Sequence, residues 1–253
     1  MQRGASLLEI AIAAGVMGLF LGMVLTVVNM TQAAASRNTA NLIQSYDSAV
    51  GTFRLKYVEL PGDARPETAR SYNFAERVGG AGHGDGNGMV EGCERGIAAS
   101  LGCENALFWR DLSQVGLIGG VPFHRATDAA VDGTTAIYLT SDYLPISPFR
   151  GLGHIFMTAP GGQNHYYLGR FATVGKDGAV TTDGAITPKE ARDLDDKIDD
   201  GKPASGRMRS MAGIARYDVP LGTPEATGCM DQDRAYDTSV NTLRCQVIIR
   251  SGF

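Results

Sequence analysis

Two different patterns of hydrophobic and polar residues follow one another in the first part of this chain. No Asp, Glu, Lys or Arg occurs from Ile10 to Ser36, a run of 27 residues that is mostly apolar. At about 1.5 Å per residue, a helix of this length extends about 40 Å, more than the roughly 30 Å hydrocarbon core of a bilayer. The run therefore predicts one membrane-spanning helix.

An amphipathic pattern begins after Arg37 and predicts that the same helix continues beyond the apolar run. Its apolar residues recur at steps of three and four, which places them on one helix face. They are Leu42, Ile43, Tyr46, Val50, Phe53, Tyr57 and Leu60. Because Pro61 and Gly62 are helix-ending residues, we expect the helix to stop there, with its apolar face packed in a core.

Beyond Pro61 the pattern predicts short helices and strands. Asn105 to Gly116 is expected to form a helix with a buried apolar face. Thr187, Pro188 and Glu190 combine an N-cap, a first-turn proline and a capping box, so a second helix is expected to run to Asp200. The predicted strands are Thr135–Thr140, His154–Thr158, His165–Val174, Arg207–Asp218 and Arg244–Arg250.

Composition narrows the class of protein. The chain has 253 residues, of which 43% are hydrophobic and 20% charged, which argues against a disordered tail and against a multi-span membrane protein. The roughly 215 residues beyond the apolar run suffice for one domain with its own core. With 23 Lys and Arg against 27 Asp and Glu, the formal charge of -4 argues against nucleic-acid binding through a basic surface.

The residues in front of the apolar run form a short motif of Arg3, Gly4, the small residue Ala5, an apolar pair and Glu9. It resembles the type III signal of type IV prepilins and type II secretion pseudopilins. The resemblance implies that a prepilin peptidase cleaves after Gly4 and methylates Ala5. It also implies that Glu9 neutralises the N-terminal amine of a neighbouring subunit and so sets the register of assembly. The alternative interpretation is a secretory signal cleaved near residues 33–35.

The apolar helix departs from the family pattern at two positions. Ala5 stands where phenylalanine is commonest. Thr26 stands where a proline is frequent, and because proline kinks a helix, we expect a less kinked helix here. Gly18 and Gly22 form a G-x-x-x-G pair. This pair favours close packing of helices, or alternatively belongs to the ordinary composition of a membrane span.

Two further stretches resemble a subgroup of minor pilins and pseudopilins. In the first, Lys56 and Tyr57 precede a Leu-Pro-Gly-Asp sequence at the end of the amphipathic helix. The second stretch runs from Leu194 to Pro203. The first lies well outside the signal and therefore supports the resemblance independently.

The resemblance implies an α+β, pilin-like fold, in which a long N-terminal helix packs on an antiparallel sheet with loop and short-helix insertions. It divides the chain into a leader at 1–4, a transmembrane and filament-core half-helix at 5–36, an amphipathic half at 37–60 and an exported domain at 61–253. The chain is expected in the inner membrane, with a cytoplasmic N-terminus and a periplasmic domain. After assembly it is expected in a cell-surface filament or a periplasmic pseudopilus.

The function that the resemblance implies is structural, as a minor pilin or pseudopilin of a type IV pilus or type II secretion filament. Its partners are then other pilin or pseudopilin subunits, the prepilin peptidase and the inner-membrane assembly platform. The alternative is an adhesin-like pilin whose exposed loops contact a surface, DNA or secreted cargo. The sequence holds no G-x-S-x-G, H-E-x-x-H or G-x-x-x-x-G-K-[ST] motif, so we do not expect an enzyme.

The glycine-rich residues from His83 to Glu94 approach the spacing of a calcium-binding EF-hand loop. On that spacing the ligand positions hold Asp85, Asn87, the Met89 carbonyl, Glu91 and Glu94. His83 occupies the first position, where a nitrogen ligand suits Ca²⁺ poorly. A calcium site is one interpretation and a glycine turn with solvated acids is the other, and no further cofactor is expected.

Four cysteines lie beyond the apolar run, which this topology places in an oxidising compartment. They are Cys93, Cys103, Cys229 and Cys245. Disulfides are therefore expected, with three connectivities open. The pairs Cys93–Cys103 and Cys229–Cys245 are favoured because each closes a short loop.

The remaining polar residues give no pattern of a catalytic site. The aspartates of the second predicted helix spread around it, which is typical of a solvated helix face, and they are Asp193, Asp195, Asp196, Asp199 and Asp200. The histidines are scattered and are expected at the surface or in the packing, and they are His83, His124, His154 and His165. Trp109 is expected in the core or at an interface.

Overall fold

The computed structural model describes residues 7–92, 103–119, 144–149, 153–174, 180–212, 215–216 and 228–253. Within these ranges the side chains at 24–29, 103, 171–174, 180–182, 211–212 and 215–216 are not described. The predicted strand Thr135–Thr140 lies outside the described residues, as do Gly4, Ala5, Cys93 and Glu94.

A single long helix, α1, spans Leu7–Tyr57 and is about 77 Å long at 1.5 Å per residue. The predicted apolar face is buried over the second half of this helix, where Ile43, Val50 and Phe53 lie in the core. In the first half, residues 7–23 are exposed. Among the described residues, no helix combines the length and the apolar character needed to cross a membrane.

Helix α1 ends at Tyr57, three residues before the predicted end at Leu60. Val58 has a positive φ of 70° and its N–H donates to the Arg54 carbonyl at 2.8 Å, which closes the last turn. Pro61 disfavours helical geometry at the residue before it, so the chain leaves the helix ahead of the proline. Leu60 is still buried, as its place in the predicted face requires.

The described strands pair antiparallel throughout and form one sheet. They are β1 (His154–Thr158), β2 (His165–Val174), β3 (Val180–Asp183), β4 (Met208–Ala212), β5 (Ala215–Arg216) and β6 (Cys245–Arg250). The strand order is β4-β6-β2-β3-β5, and β1 pairs with β2. The α+β class with an antiparallel sheet is confirmed, and the predicted strand Arg207–Asp218 is divided into β4 and β5.

In the part of the chain that the structure describes, three short α-helices accompany the sheet: α2 (Pro66–Ser71), α3 (Cys103–Gln114) and α4 (Pro188–Ile198). The capping box of α4 is confirmed, since the Thr187 hydroxyl accepts the Glu190 N–H at 3.2 Å and Glu190 Oε2 accepts the Thr187 N–H at 2.9 Å. Helix α3 begins two residues before the predicted start, and α2 was not predicted from the sequence.

The core lies between the second half of α1, the sheet and α3. Trp109 of α3 is fully buried and meets Tyr46 of α1 edge to face, with ring centroids 4.8 Å apart. Tyr166 of β2 is also fully buried, and its hydroxyl donates to Asp47 of α1 at 3.0 Å. The prediction of Trp109 as a core residue is therefore confirmed.

Candidate functional site

The first half of α1 exposes large apolar side chains on every side of the helix. Their exposed fractions run from 45% at Val16 to 88% at Leu7. The others between them are Leu8, Ile10, Ile12, Met17, Leu19, Phe20, Leu21 and Met23. A helix that is apolar all round is characteristic of one that is covered by protein or lipid, and a contiguous exposed patch marks an interaction site.

Glu9 is the one charged residue of this segment and lies in the first turn of α1, where the helix dipole stabilises a carboxylate. The predicted packing glycines lie one turn apart further along the helix. A methyl group placed on Gly18 or Gly22 would meet no atom within 4 Å. The described chain therefore leaves this part of the helix open to close approach by another helix.

The glycine-rich loop at 79–92 wraps around two buried carboxylates from outside the loop. Asp63 accepts the N–H groups of Gly86 and Gly88 through its two oxygens, both at 2.8 Å. Glu104 accepts the N–H of Gly84 at 2.7 Å and that of Glu91 at 2.9 Å. These two side chains, one before the loop and one after it, fix the loop's backbone.

The structure does not gather the described members of the predicted calcium ligand set, Asp85, Asn87, Met89 and Glu91, around one point. Asp85 lies with Asp63 and Glu104, with one oxygen of each within 4.8 Å of the others. Asn87 instead directs its side-chain amide nitrogen at Asp85 and at Glu91, 3.1 and 3.2 Å away. An amide N–H therefore occupies the position between these two carboxylates, where a cation would need oxygen.

Two further predicted ligands behave differently. The Met89 backbone donates its N–H to the Asn87 side chain at 2.7 Å, as in an ordinary Asx turn, and Glu94 lies outside the described residues. Every oxygen of Asp63 and Glu104 already accepts a backbone N–H. The arrangement therefore serves to hold the loop.

Burial dominates the electrostatics of the two carboxylates that hold the loop. Desolvation raises the pKa of Asp63 to about 7, against the opposing effect of its two N–H donors, and Asp85 adds to the rise. Desolvation likewise raises the pKa of Glu104 to about 8, with Asp63 and Asp85 contributing. Both carboxyl groups therefore have pKa values near or above neutral pH, instead of the usual values of about 4.

The Leu-Pro-Gly-Asp stretch after α1 joins this loop to a buried ion pair. Arg77 Nη2 lies 2.5 Å from Asp111 Oδ2, with both side chains fully buried, and the same oxygen accepts the Gly62 N–H at 2.7 Å. Gly62 has a φ of 82°, and a Cβ there would lie 2.2 Å from the Glu104 carbonyl oxygen. Only glycine allows this approach of the helix exit to α3.

The predicted disulfide between Cys229 and Cys245 is confirmed, with the two Cα atoms 5.1 Å apart. It joins the first residue of β6, Cys245, to Cys229 and closes a loop that contains Tyr236. The other predicted disulfide, Cys93–Cys103, lies outside what the structure describes, because Cys93 and the side chain of Cys103 are not described.

The interpretation of the α4 aspartates as a solvated face is wrong for Asp195. This side chain is fully buried, because the Tyr236 hydroxyl covers it and donates to Oδ2 at 2.7 Å. Desolvation raises the pKa of Asp195 to about 7, with Asp200 and Asp199 adding to the rise. These three aspartates converge, with one oxygen of each within 4.8 Å of the others, although Asp199 and Asp200 are exposed, as is Asp196.

The histidines match their expected roles where they are described. His165 is buried and its Nδ1 lies 2.6 Å from the Gln163 carbonyl, and desolvation lowers its pKa. Desolvation lowers the pKa of His154 to about 4. His83 is half-buried in the glycine-rich loop, and His124 lies outside the described residues.

Comparison with protein-family models, with curated proteins and with solved structures found no match for this chain.

Proposed function

We propose that this chain is a structural subunit, a minor pilin or pseudopilin, of a type IV pilus or type II secretion filament. The observation that carries the proposal is the first half of α1, which is apolar on all sides and extends from a domain packed on the second half of the same helix. Such a surface needs a cover of lipid or of neighbouring helices. The motif around Gly4, with its resemblance to prepilin signals, supports the same conclusion.

In this proposal the helix is a membrane anchor before assembly and lies in the filament core afterwards. The uncharged run from Ile10 to Ser36 is long enough for the anchor. The N-terminus is then cytoplasmic and the domain periplasmic. The Cys229–Cys245 disulfide supports a periplasmic location of the domain, since disulfides persist in oxidising compartments.

Glu9 sets the register between subunits in this assembly. In an apolar bundle, a carboxylate and the amine of a neighbouring N-terminus stabilise each other, and a shifted helix leaves both charges unpaired. Removal of one partner of such a buried pair costs about 3–5 kcal/mol. The prepilin peptidase and the inner-membrane platform are the remaining partners that this pathway requires.

The proposal is tested by intact-mass and N-terminal peptide analysis of the protein from native membranes, with and without the prepilin peptidase. We expect a chain that starts at Ala5, with or without one methyl group, and that depends on the peptidase. A chain that begins at Met1 under both conditions, or after Ala35, contradicts the proposal. Glu9→Gln is expected to be cleaved as the wild type is but to be lost from purified filaments.

A second candidate function, an adhesin-like binding pilin, is favoured by apolar residues at the other end of α1. Leu55 and Val58 are 90% and 80% exposed, and Tyr72, which contacts Tyr57, is 48% exposed. They lie on the side of the domain that is remote from the apolar half-helix. A deletion strain separates the two candidates, because normal filaments with lost attachment, uptake or secretion indicate binding, and lost filaments indicate a structural role.

A further inference from the structure

The carboxyl end of α4 gathers three aspartates from the last turn of the helix and the two residues after it. Asp195 lies in the last turn, Asp199 is the C-cap residue and Asp200 follows it. One carboxylate oxygen from each lies within 4.8 Å of the others. The helix dipole places partial negative charge at this same end, so the three carboxylates are where a cation is most favoured.

Asp195 supplies an observation that is independent of the clustering. Its side chain is fully buried, Oδ2 accepts the Tyr236 hydroxyl, and Oδ1 has no hydrogen-bond partner in the described part of the protein. Burying a carboxylate oxygen without a partner costs far more than burying one that is paired. The unpaired Oδ1 of Asp195 therefore indicates that a ligand contacts this oxygen.

The backbone after α4 is folded so that the other two carboxylates are held in place. Asp199 Oδ2 accepts the N–H groups of Arg207 and Met208, which leaves its Oδ1 available. Asp200 accepts the Lys202 N–H at 3.0 Å and the Ser205 hydroxyl at 2.8 Å.

Two basic side chains of this region, those of Arg207 and Lys197, are bonded elsewhere. Arg207 turns to Asp47, at 2.6 Å, and to the Arg250 carbonyl, at 2.8 Å. Lys197 donates to the carbonyl of Asp193, at 2.8 Å. Among the described ion pairs, none joins Asp195, Asp199 or Asp200 to a Lys or Arg.

We propose that Asp195, Asp199 and Asp200 bind a hard divalent cation, with Ca²⁺ as the preferred ion. The available ligands are carboxylate oxygens, which Ca²⁺ and Mg²⁺ prefer to the softer metals. Because Ca–O distances are 2.3–2.6 Å, two oxygens of one calcium shell lie at most about 5 Å apart, as these three do. The irregular turn at 199–208 suits the flexible coordination of Ca²⁺ better than the strict octahedron of Mg²⁺.

A bound ion connects three parts of the domain. It holds the end of α4 to the turn that leads into β4, through the contacts of Asp199. Through Asp195 and Tyr236 it also holds the loop that the Cys229–Cys245 disulfide closes, and Tyr236 in turn bonds Ser210 of β4 at 2.9 Å. Calcium is therefore expected to stabilise the domain, whatever the fate of the apolar half of α1.

The test measures thermal unfolding of the full chain in detergent micelles after chelator treatment, with and without Ca²⁺. At a calcium concentration 100 times the Kd, we expect the Tm of the wild type to rise by about 5–10 °C. In the variant with Asp199→Asn and Asp200→Asn this rise is expected to vanish. Asparagine keeps an oxygen for the backbone contacts of both positions, so the turn is retained.

Two matched controls locate the effect. The variant with Asp193→Asn and Asp196→Asn removes the same number of charges from α4 itself, and Asp85→Asn disturbs the carboxylates of the glycine-rich loop. Both are expected to keep the full calcium response. A response that persists without Asp199 and Asp200, or one that disappears in Asp85→Asn, overturns the assignment.

A second measurement uses the wild type alone and needs no variant to fold. Tb³⁺ in the site is expected to give luminescence sensitised by Tyr236, whose hydroxyl lies 2.7 Å from Asp195 Oδ2, and added Ca²⁺ is expected to displace it. The absence of both a Tm rise and a sensitised signal that Ca²⁺ displaces overturns the proposal.

Discussion

The glycine-rich loop gives a sharp prediction for Glu104→Gln. Glu104 is fully buried and accepts the N–H groups of Gly84 and Glu91, one on each oxygen. Glutamine keeps one acceptor, but its amide group then faces the other N–H. This mismatch costs about 1–3 kcal/mol at every pH, so the informative quantity is how the effect of the substitution changes with pH.

The sign follows from the raised pKa of Glu104. In the unfolded chain the carboxyl group loses its proton near pH 4.5, whereas burial raises the pKa in the folded protein to about 8. Between these values only the unfolded wild type releases the proton, so the wild type loses about 1.36 kcal/mol of unfolding free energy per pH unit and Glu104→Gln does not. From pH 5.5 to 7.5 the wild type is expected to lose about 2.5 kcal/mol relative to the variant.

Denaturant titrations of the full chain at the two pH values, with chelator present, measure this difference. Trp109, the single tryptophan, is fully buried on the same helix and reports unfolding of the core by its fluorescence. Glu67→Gln, at an exposed glutamate, is the control, and because it keeps Glu104 its unfolding free energy should fall with pH as that of the wild type does. If the N–H donors instead keep Glu104 ionised, the wild type gains stability relative to the variant as the pH rises, which would refute the reasoning.

Three other substitutions test structural features by their effect on the free energy of unfolding. Val58→Gly is expected to stabilise the domain by about 0.5–1 kcal/mol, because Val58 is a β-branched residue strained at positive φ and its side chain is exposed. The control Leu55→Gly, inside the helix, should cost about 1 kcal/mol, and equal effects of the two substitutions would contradict the strain at Val58. Asp111→Asn is expected to lower the free energy of unfolding by about 3–5 kcal/mol, because the Arg77 side chain stays buried without a counter-charge. A cost under about 1 kcal/mol would show that Arg77 and Asp111 do not form a buried ion pair. Replacing both cysteines of the Cys229–Cys245 pair by serine is expected to cost about 3 kcal/mol for a sequence separation of 16, and unchanged unfolding in denaturant would contradict this.

Elements with local signals were predicted well from the sequence. The capping box at Thr187 and Glu190 and the apolar face of α1 depend on neighbours within a few positions, and both were confirmed. Strand β3, Val180–Asp183, was missed because its four residues carry no alternating pattern and its register comes from pairing with β2.

The candidate sites were predicted less well, because their partners are distant in the sequence. The loop at 79–92 was interpreted as a self-contained set of ligands, but it is held by Asp63 and Glu104, which belong to other segments. Asp195 was interpreted as solvated because helical spacing alone cannot show that Tyr236 covers it. Contacts of this kind depend on tertiary packing, which no local pattern encodes.

The place of β6 in the sheet determines when the domain can finish folding. Strand β6, Cys245–Arg250, lies between β2 and β4 and pairs with both, although it is synthesised after them. The β1–β2 hairpin can form early, but the inner edge of β4 stays unpaired until β6 emerges, and open strand edges invite aggregation. Because β6 also carries Cys245, the bond to Cys229 is expected to secure this late-pairing strand once the sheet has formed.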